Sequence, residues 1–482
     1  MYRNKGTITV FLSLISMLFL SLFCTMAESV RVQAARFQAA AAFDMGLFSI
    51  FGEYDRVLLE EYDLWFLDGS NEEQKIREVL ETKLEKYIQP NINPRYNLAA
   101  GRSWDVFPTE LDRCTVDKYA LATDHGGQVF YSQAVENQKE LFVGEAASAL
   151  KKNIKQMEEG HQKGEEYQNE EQKADEEYQR AQAAQMEEKK RQESEKENAE
   201  KQEESDTDIK ETEAVQAKVE NPIDQIKKIK SMGILGLVLK DGTVVSDKTI
   251  ERKNLPSERN LQKGSLLVNE ISADPVSEAI FLNYLQKHFQ CAVDEGGKHQ
   301  KGSKEHSLSY ELEYIIGGQK SDRENLKKTV NRILLIREGM NYATLAKSAK
   351  MRGEAMALAA AITGAAALPE FAGALQKLLM LAWAYGESLL DVRTLLAKGK
   401  VPMLKAETEW KLPLEKLGML AEVLKECDAG GGNGQSYEDY LSGLLILGKK
   451  QQRNLRVLDL IECNRRMEKG GETFRVDALV AQ

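Results

Sequence analysis

Two carboxylates one helical turn apart, Glu387 and Asp391, are the residues of this sequence best placed to do chemistry. Trp383 precedes them by a further turn, so on a helix the three share one face. Their neighbours Leu379, Leu389, Leu390 and Leu395 are apolar enough to bury part of that face. Paired carboxylates in a low-dielectric cleft can divide into general acid and general base. The same pattern also serves structure. A buried carboxylate needs a cationic partner simply to fold, and Arg332, Arg337 and Arg393 stand on similarly apolar segments. The expectation is a structural network in which Glu387 or Asp391 pairs with one of these arginines.

Other constellations are weaker. His288, Cys291, His299 and His306 match no tetrahedral zinc spacing and run through a Gly/Lys-rich loop at 295–305. Asp428–Ser436 (DAGGGNGQS) precedes a helical pattern but lacks both the preceding strand and the Gly-Lys-Ser/Thr ending of a phosphate-binding loop. No G-x-S-x-G elbow occurs. No metal or cofactor is expected.

The elements that must carry these residues are read from hydrophobic period. Asn71–Tyr87 is an amphipathic helix with Ile76, Val79, Leu80, Leu84 and Tyr87 on one side. Asp105–Phe130 reads as one or two strands with a turn at His125-Gly126-Gly127, and Met232–Ser246 as strand, Asp241-Gly242 turn and strand. Leu308–Ile316 alternates as a strand. Helices are expected over Asn325–Gly339, Glu354–Leu368 and Phe371–Leu396, with a final pair in Ser436–Met467 and a closing strand at Thr473–Val480. Ala355–Leu368 is uncharged but too short to span a bilayer, so it reads as a buried core helix. The fold class is α+β, mostly helical.

Lys151–Glu220 stands apart. Of its 70 residues 35 are charged, 22 acidic and 13 basic, so this stretch carries most of the chain's net charge of -11. Apolar residues do not recur at heptad positions, which predicts a partly helical, mobile insert (151–221) that packs little against the halves at 28–150 and 222–482. Over 482 residues, 42% hydrophobic content excludes a wholly disordered chain, and the acidic balance argues against a nucleic-acid partner. Five cysteines exclude a disulfide-dense scaffold, and their odd number leaves one thiol free or paired between chains.

Thr7–Ala27 has no charge in 21 residues, which on a helix reaches about 30 Å, the thickness of the hydrocarbon core. Behind a basic leader (1–6), it predicts a single-pass anchor in membrane lipid, with the N-terminus cytoplasmic and the body extracytoplasmic. A cleaved secretory signal is the rival reading, with Thr25-Met26-Ala27 as its cleavage site. Glu28–Met45 contains no Gly or Pro, so the span should continue as one helix toward Gly46.

KGTITVFLSLI at Lys5–Ile15 resembles the start of minor-pilin-like proteins of Flp (Tad-type) pilus assembly, where cleavage would fall between Gly6 and Thr7. Phe11 stands where the cleaved members carry Glu, a residue that the uncleaved members lack too. Ala27–Ser49 resembles the helix following the span in the TadE/TadG group, with Glu28, Arg31, Arg36, Gln38 and Asp44 matching its pattern. Tyr310–Tyr342, Leu381–Lys405 and Phe51–Gly69 are similar to an uncharacterised family of single-pass membrane proteins of Gram-positive bacteria. The leader, the continuous emerging helix and the missing catalytic motifs, taken with these resemblances, lead to the expectation of a non-enzymatic component of a Flp-type pilus or related secretion apparatus, with protein partners there. The alternatives are an anchored binding or scaffold protein unrelated to a pilus, and an exported enzyme working through the Glu387/Asp391 face.

Overall fold

The computed structural model describes residues 5–70, 75–92, 96–98, 102–104, 109–139, 144–200, 222–240, 242–266, 274–293, 306–365, 371–427, 432–468 and 474–481. Helix accounts for 74% of the described residues and strand for 3%, so the expected α+β body is a helical one with small β ladders. The chain divides into two compact units. The first comprises 1–137, 259–271 and 471–482, and the second 138–258 and 272–470.

The first unit is built on α1 (Lys5–Phe51), a single uninterrupted helix. Residues 6–33 are exposed all round, and the helix is long and apolar enough to cross a membrane. Beyond that, its buried positions are 42, 46 and 50, preceded by half-buried 34/35 and 38/39, a stripe that repeats every fourth residue. α2 (Arg56–Tyr62) comes next, capped by the Asp55 carboxylate, which accepts from the Val57 and Leu58 amides. After β1 (Phe66–Asp68) comes α3 (Ile76–Ile92), against which the α1 stripe packs. Gly46 is required there, since a Cβ would lie 2.5 Å from Ile88 Cγ1. The core joins Ala42, Ile50, Leu67, Leu80, Leu84, Ile88, Leu121 and Val480.

Next come a short hairpin, β2 (Tyr96–Leu98) with β3 (Arg102–Trp104), and α4 (Asp124–Lys139). His125, Gly126 and Gly127 are all left-handed, with φ of 52°, 71° and 81°, so the expected turn exists. The chain leaves this turn as helix, whereas the sequence pattern predicts a strand through Phe130.

The second unit opens with α5 (Gly144–Glu200), helical as expected, but over 153–174 it packs against the unit where little packing was expected. Asn153, Met157, Gly160, Gly164, Tyr167 and Ala174 are buried, spaced by alternate threes and fours. Gly160, Gly164 and Tyr167 meet neighbouring helices at close range. The remainder of the expected insert, 201–221, lies outside the described residues. α6 (Pro222–Ser231) and α7 (Ile234–Val238) come next, the latter replacing the strand-turn-strand read at 232–246. α8 (Pro275–His288) leads to α9 (Glu311–Gly317), a helix where alternation suggests a strand. All seven residues of α9 are buried, so Glu311 and Glu313 alternate with Leu312 and Tyr314 without facing water.

α10 (Asp322–Lys347) is capped by Ser321, whose hydroxyl accepts from the Glu324 amide. α11 (Ala349–Ala365) buries only the stripe Met351, Ala355, Ala359 and Thr363 and leaves its other faces exposed, so it is not the buried core helix expected from its composition. That role belongs to α12 (Ala372–Leu396), buried on every side from Leu378 to Leu395. α13 (Leu420–Glu426), α14 (Tyr437–Leu447) and α15 (Lys450–Glu468) complete the unit. The chain returns to the first unit with β4 (Leu479–Ala481), antiparallel to β1 with Leu67 opposite Val480. The closing strand is therefore shorter than expected, since Val476–Ala478 is a 3-10 turn.

Candidate functional site

α12 brings Glu387 and Asp391 into the helical layer, where both side chains are 0% exposed. Arg337, on α10 and equally buried, donates to Asp391 Oδ2 from Nε at 3.0 Å and Nη2 at 2.7 Å. Its Nη1 donates to the carbonyls of Pro402 and Met403 and to the Tyr440 hydroxyl, at 2.9, 3.0 and 3.2 Å. Asn341, one turn along α10, accepts from Arg337 Nη2 and donates to Ser388 Oγ and Asp391 Oδ2. Every polar direction of the guanidinium is thereby engaged.

Glu387 pairs with the Lys405 ammonium, which also sits 2.5 Å from Asp391 Oδ1. It further accepts the backbone N–H of Lys411 at 3.0 and 3.1 Å and that of Leu412 at 2.8 Å. Trp383 Nε1 donates to the Leu412 carbonyl at 2.7 Å, and its ring meets Trp410 edge-on at 5.7 Å. Gly386 leaves room for this segment, since a Cβ there would lie 2.6 Å from Leu412 Cδ2. The Trp383, Glu387 and Asp391 face thus receives the segment 401–412, whose backbone is held at 402–403 by Arg337 and at 411–412 by Glu387 and Trp383. The network is a clamp on that segment.

The two carboxyls are driven apart electrostatically. Burial raises Glu387, and the neighbouring Asp391 charge adds to this against the lowering effect of Lys405. Burial acts on Asp391 in the same sense, but Arg337 and then Lys405 outweigh it and hold that carboxyl below its usual range. Separated pKa values are what an acid–base pair requires, yet both groups here contact only protein.

Of the three candidate arginines, only Arg337 joins the network. Arg332 donates to the Ile316 carbonyl at 3.3 Å, five residues and a different helix face away. Arg393 donates to the carbonyls of Leu237 and Leu239 at 3.2 and 2.8 Å, closing the end of α7. Lys405, the cation that both carboxylates share, carried no signal in the sequence because it lies in an irregular segment. Asn341 did carry one, being four residues from Arg337 on the same helix face.

The remaining candidates are dispersed. Glu28 and Arg31 form an exposed i,i+3 pair at 3.2 Å, Arg36 and Asp44 are exposed, and Gln38 donates to the Ile92 carbonyl. Gly6 and Thr7 lie in the exposed first turns of α1. His306 meets Glu311 at 2.8 Å, while His299 lies outside the described residues. Among the described residues no three His, Cys, Asp or Glu side chains are grouped to hold a metal ion, and none of the five cysteines is bonded to another. Ser436 caps α14 in a reciprocal arrangement with Asp439, and 428–431 lie outside the described residues.

Fold and site define a helical protein with, among the described residues, one helix long and apolar enough to span a membrane, and an ion network sealed in its larger unit. The chain belongs to a family of unknown function, DUF5702, which matches residues 212–482. No curated protein and no solved structure matches it.

Proposed function

We propose that this protein is a membrane-anchored, non-enzymatic component of the cell envelope, and specifically a minor-pilin-like subunit of a Flp (Tad-type) pilus or related secretion apparatus. The observation that carries this reading is α1, one helix whose first part is apolar and exposed all round and whose last part is built into a folded unit. The charge step from Arg3 and Lys5 to the uncharged span favours a cytoplasmic N-terminus and an extracytoplasmic body. The likeness of Lys5–Ile15 and Ala27–Ser49 to TadE/TadG proteins supports the pilus assignment over an anchored scaffold of another kind. Glu387 and Asp391 then serve rigidity, with the clamp holding 401–412 in place.

Phe37 and Phe48 project from α1 at 79% and 85% exposure and give a direct test. A photo-crosslinking residue at either position in the membrane-bound protein should yield adducts with pilin-like subunits through their N-terminal helices. Adducts with lipid alone would leave an anchored protein and refute the pilus reading. N-terminal sequencing that begins at Glu28 would refute the anchor itself.

A further inference from the structure

In the second unit, a cavity of about 260 Å³ opens between the end of α9, the face of α10 and the α14–α15 corner. Arg332, Lys449, Arg453 and Arg456 line it together with Ile315 and Ile316, and no carboxylate does among the described residues. Arg332 and Arg456, with Lys328 beside the cavity, converge on the end of α9. Arg456 Nη1 donates to the Ile315 and Ile316 carbonyls at 2.9 and 3.0 Å, Arg332 to Ile316 at 3.3 Å and Lys328 to Gly317 at 2.8 Å. Gly318 comes next with φ of +61°, and a Cβ there would fall 2.4 Å from Arg456 Cζ, so glycine makes room for the guanidinium.

Capping a helix does not account for three cations. The C-terminus of a helix presents about half a negative charge, and less for one of seven residues. Nearby carboxylates are already committed. Glu278 is shared by Arg453 at 2.8 Å and Lys450 at 3.1 Å, Glu258 pairs with Arg252, and Asp459, which accepts from Ser257 and Tyr314, offsets part of the Arg456 charge alone. Burial, and then repulsion from Arg332, Arg456 and Arg252, holds the Lys328 ammonium below its usual range. The positive charge gathered here is in surplus.

We infer that this cavity is a binding site for a small phosphate-bearing anion. Guanidinium groups suit phosphate because their paired N–H donors match its oxygens. Pockets for drug-sized ligands run from about 300 to 1,000 Å³, so this one suits a phosphate or a compact phosphate ester. The inference is independent of the membrane reading.

The test is calorimetric titration of the full-length protein in detergent with inorganic phosphate, glycerol phosphate and acetate, beside the Arg332→Gln and Lys449→Gln variants. Phosphate should bind saturably, weaken as salt is added, and lose at least about tenfold in affinity in either variant. Tighter binding of glycerol phosphate than of inorganic phosphate would identify an ester as the source, and the reverse would identify free phosphate. Either result supports the site. In phosphate-free buffer Arg332→Gln should raise Tm by relieving repulsion, and phosphate should then no longer stabilise the variant. Absent or variant-insensitive phosphate binding, equal binding of acetate, or a lowered Tm for Arg332→Gln in phosphate-free buffer would overturn the proposal.

Discussion

Removing one side of the Arg337–Asp391–Lys405–Glu387 network leaves the other side buried and uncompensated. Glu387→Ala strands Lys405 beside Asp391 and frees the Lys411 and Leu412 amides, so it should cost about 3–5 kcal/mol in urea unfolding. Glu387→Gln should be milder, because an amide oxygen still accepts from that backbone. A Glu387→Ala variant as stable as wild type would mean that the clamp contributes nothing. Other buried carboxyls act through pH. Burial, reinforced by Glu171 and opposed by Lys230, raises Glu338 from 4.5 to about 8. Between those values the folded chain keeps a proton that the unfolded chain has released. Its stabilising effect is therefore complete below pH 4.5 and lost as pH rises through 8. Glu313, raised to about 7 by burial, has the same sign, while Asp391, held low, contributes in the opposite sense and only in acid. Urea midpoints should fall from about pH 5 to about pH 8.5, and Glu338→Gln should flatten that fall. An unchanged slope in the variant would show that Glu338 does not titrate in this range.

At the scale of elements, α5 is where sequence and structure part most instructively. Its buried seam runs 153, 157, 160, 164, 167 and 174, the three-four spacing of a packed helix. Asn, Gly and Ala occupy most of that seam, and a count of apolar residues passes over them. What packs is backbone. A Cβ on Gly164 would lie 2.8 Å from the Leu335 carbonyl oxygen, and one on Gly339 would lie 2.3 Å from Lys163 C. Gly164→Ala or Gly339→Ala should thus destabilise by about 1–3 kcal/mol despite the roughly 1 kcal/mol gained in helix propensity. Gly353 on α11 has nothing within 4 Å of such a Cβ, and Gly353→Ala should stabilise. Equal melting temperatures for all three would show that α5 does not dock. The long helices α10, α12, α14 and α15 were legible because their length makes the period plain. α7 and α9 were not, because five and seven residues cannot separate a buried helix from a strand. The carboxylate face and its pairing with Arg337 were legible as well, but the second counter-ion was not, since Lys405 reaches the face from an irregular segment.

For the whole molecule, α1 serves two environments with one continuous backbone, and the boundary can be located. Up to residue 33 every described side chain is exposed, while from Ala34 onward the helix contributes a stripe to the core of the first unit. Deleting residues 1–33 should release a soluble protein with nearly unchanged melting temperature, because no core contact is lost. Deleting 1–51 removes Ala42, Gly46 and Ile50 from their packing on α3 and exposes Leu80, Leu84 and Ile88. The isoleucine alone is worth about 1.5–3 kcal/mol of buried surface, so this second truncation should melt far lower or aggregate. The comparison separates anchoring from folding. If the shorter deletion were as damaging as the longer one, the apolar span would belong to the fold; if both were harmless, the stripe on α3 would contribute nothing to stability.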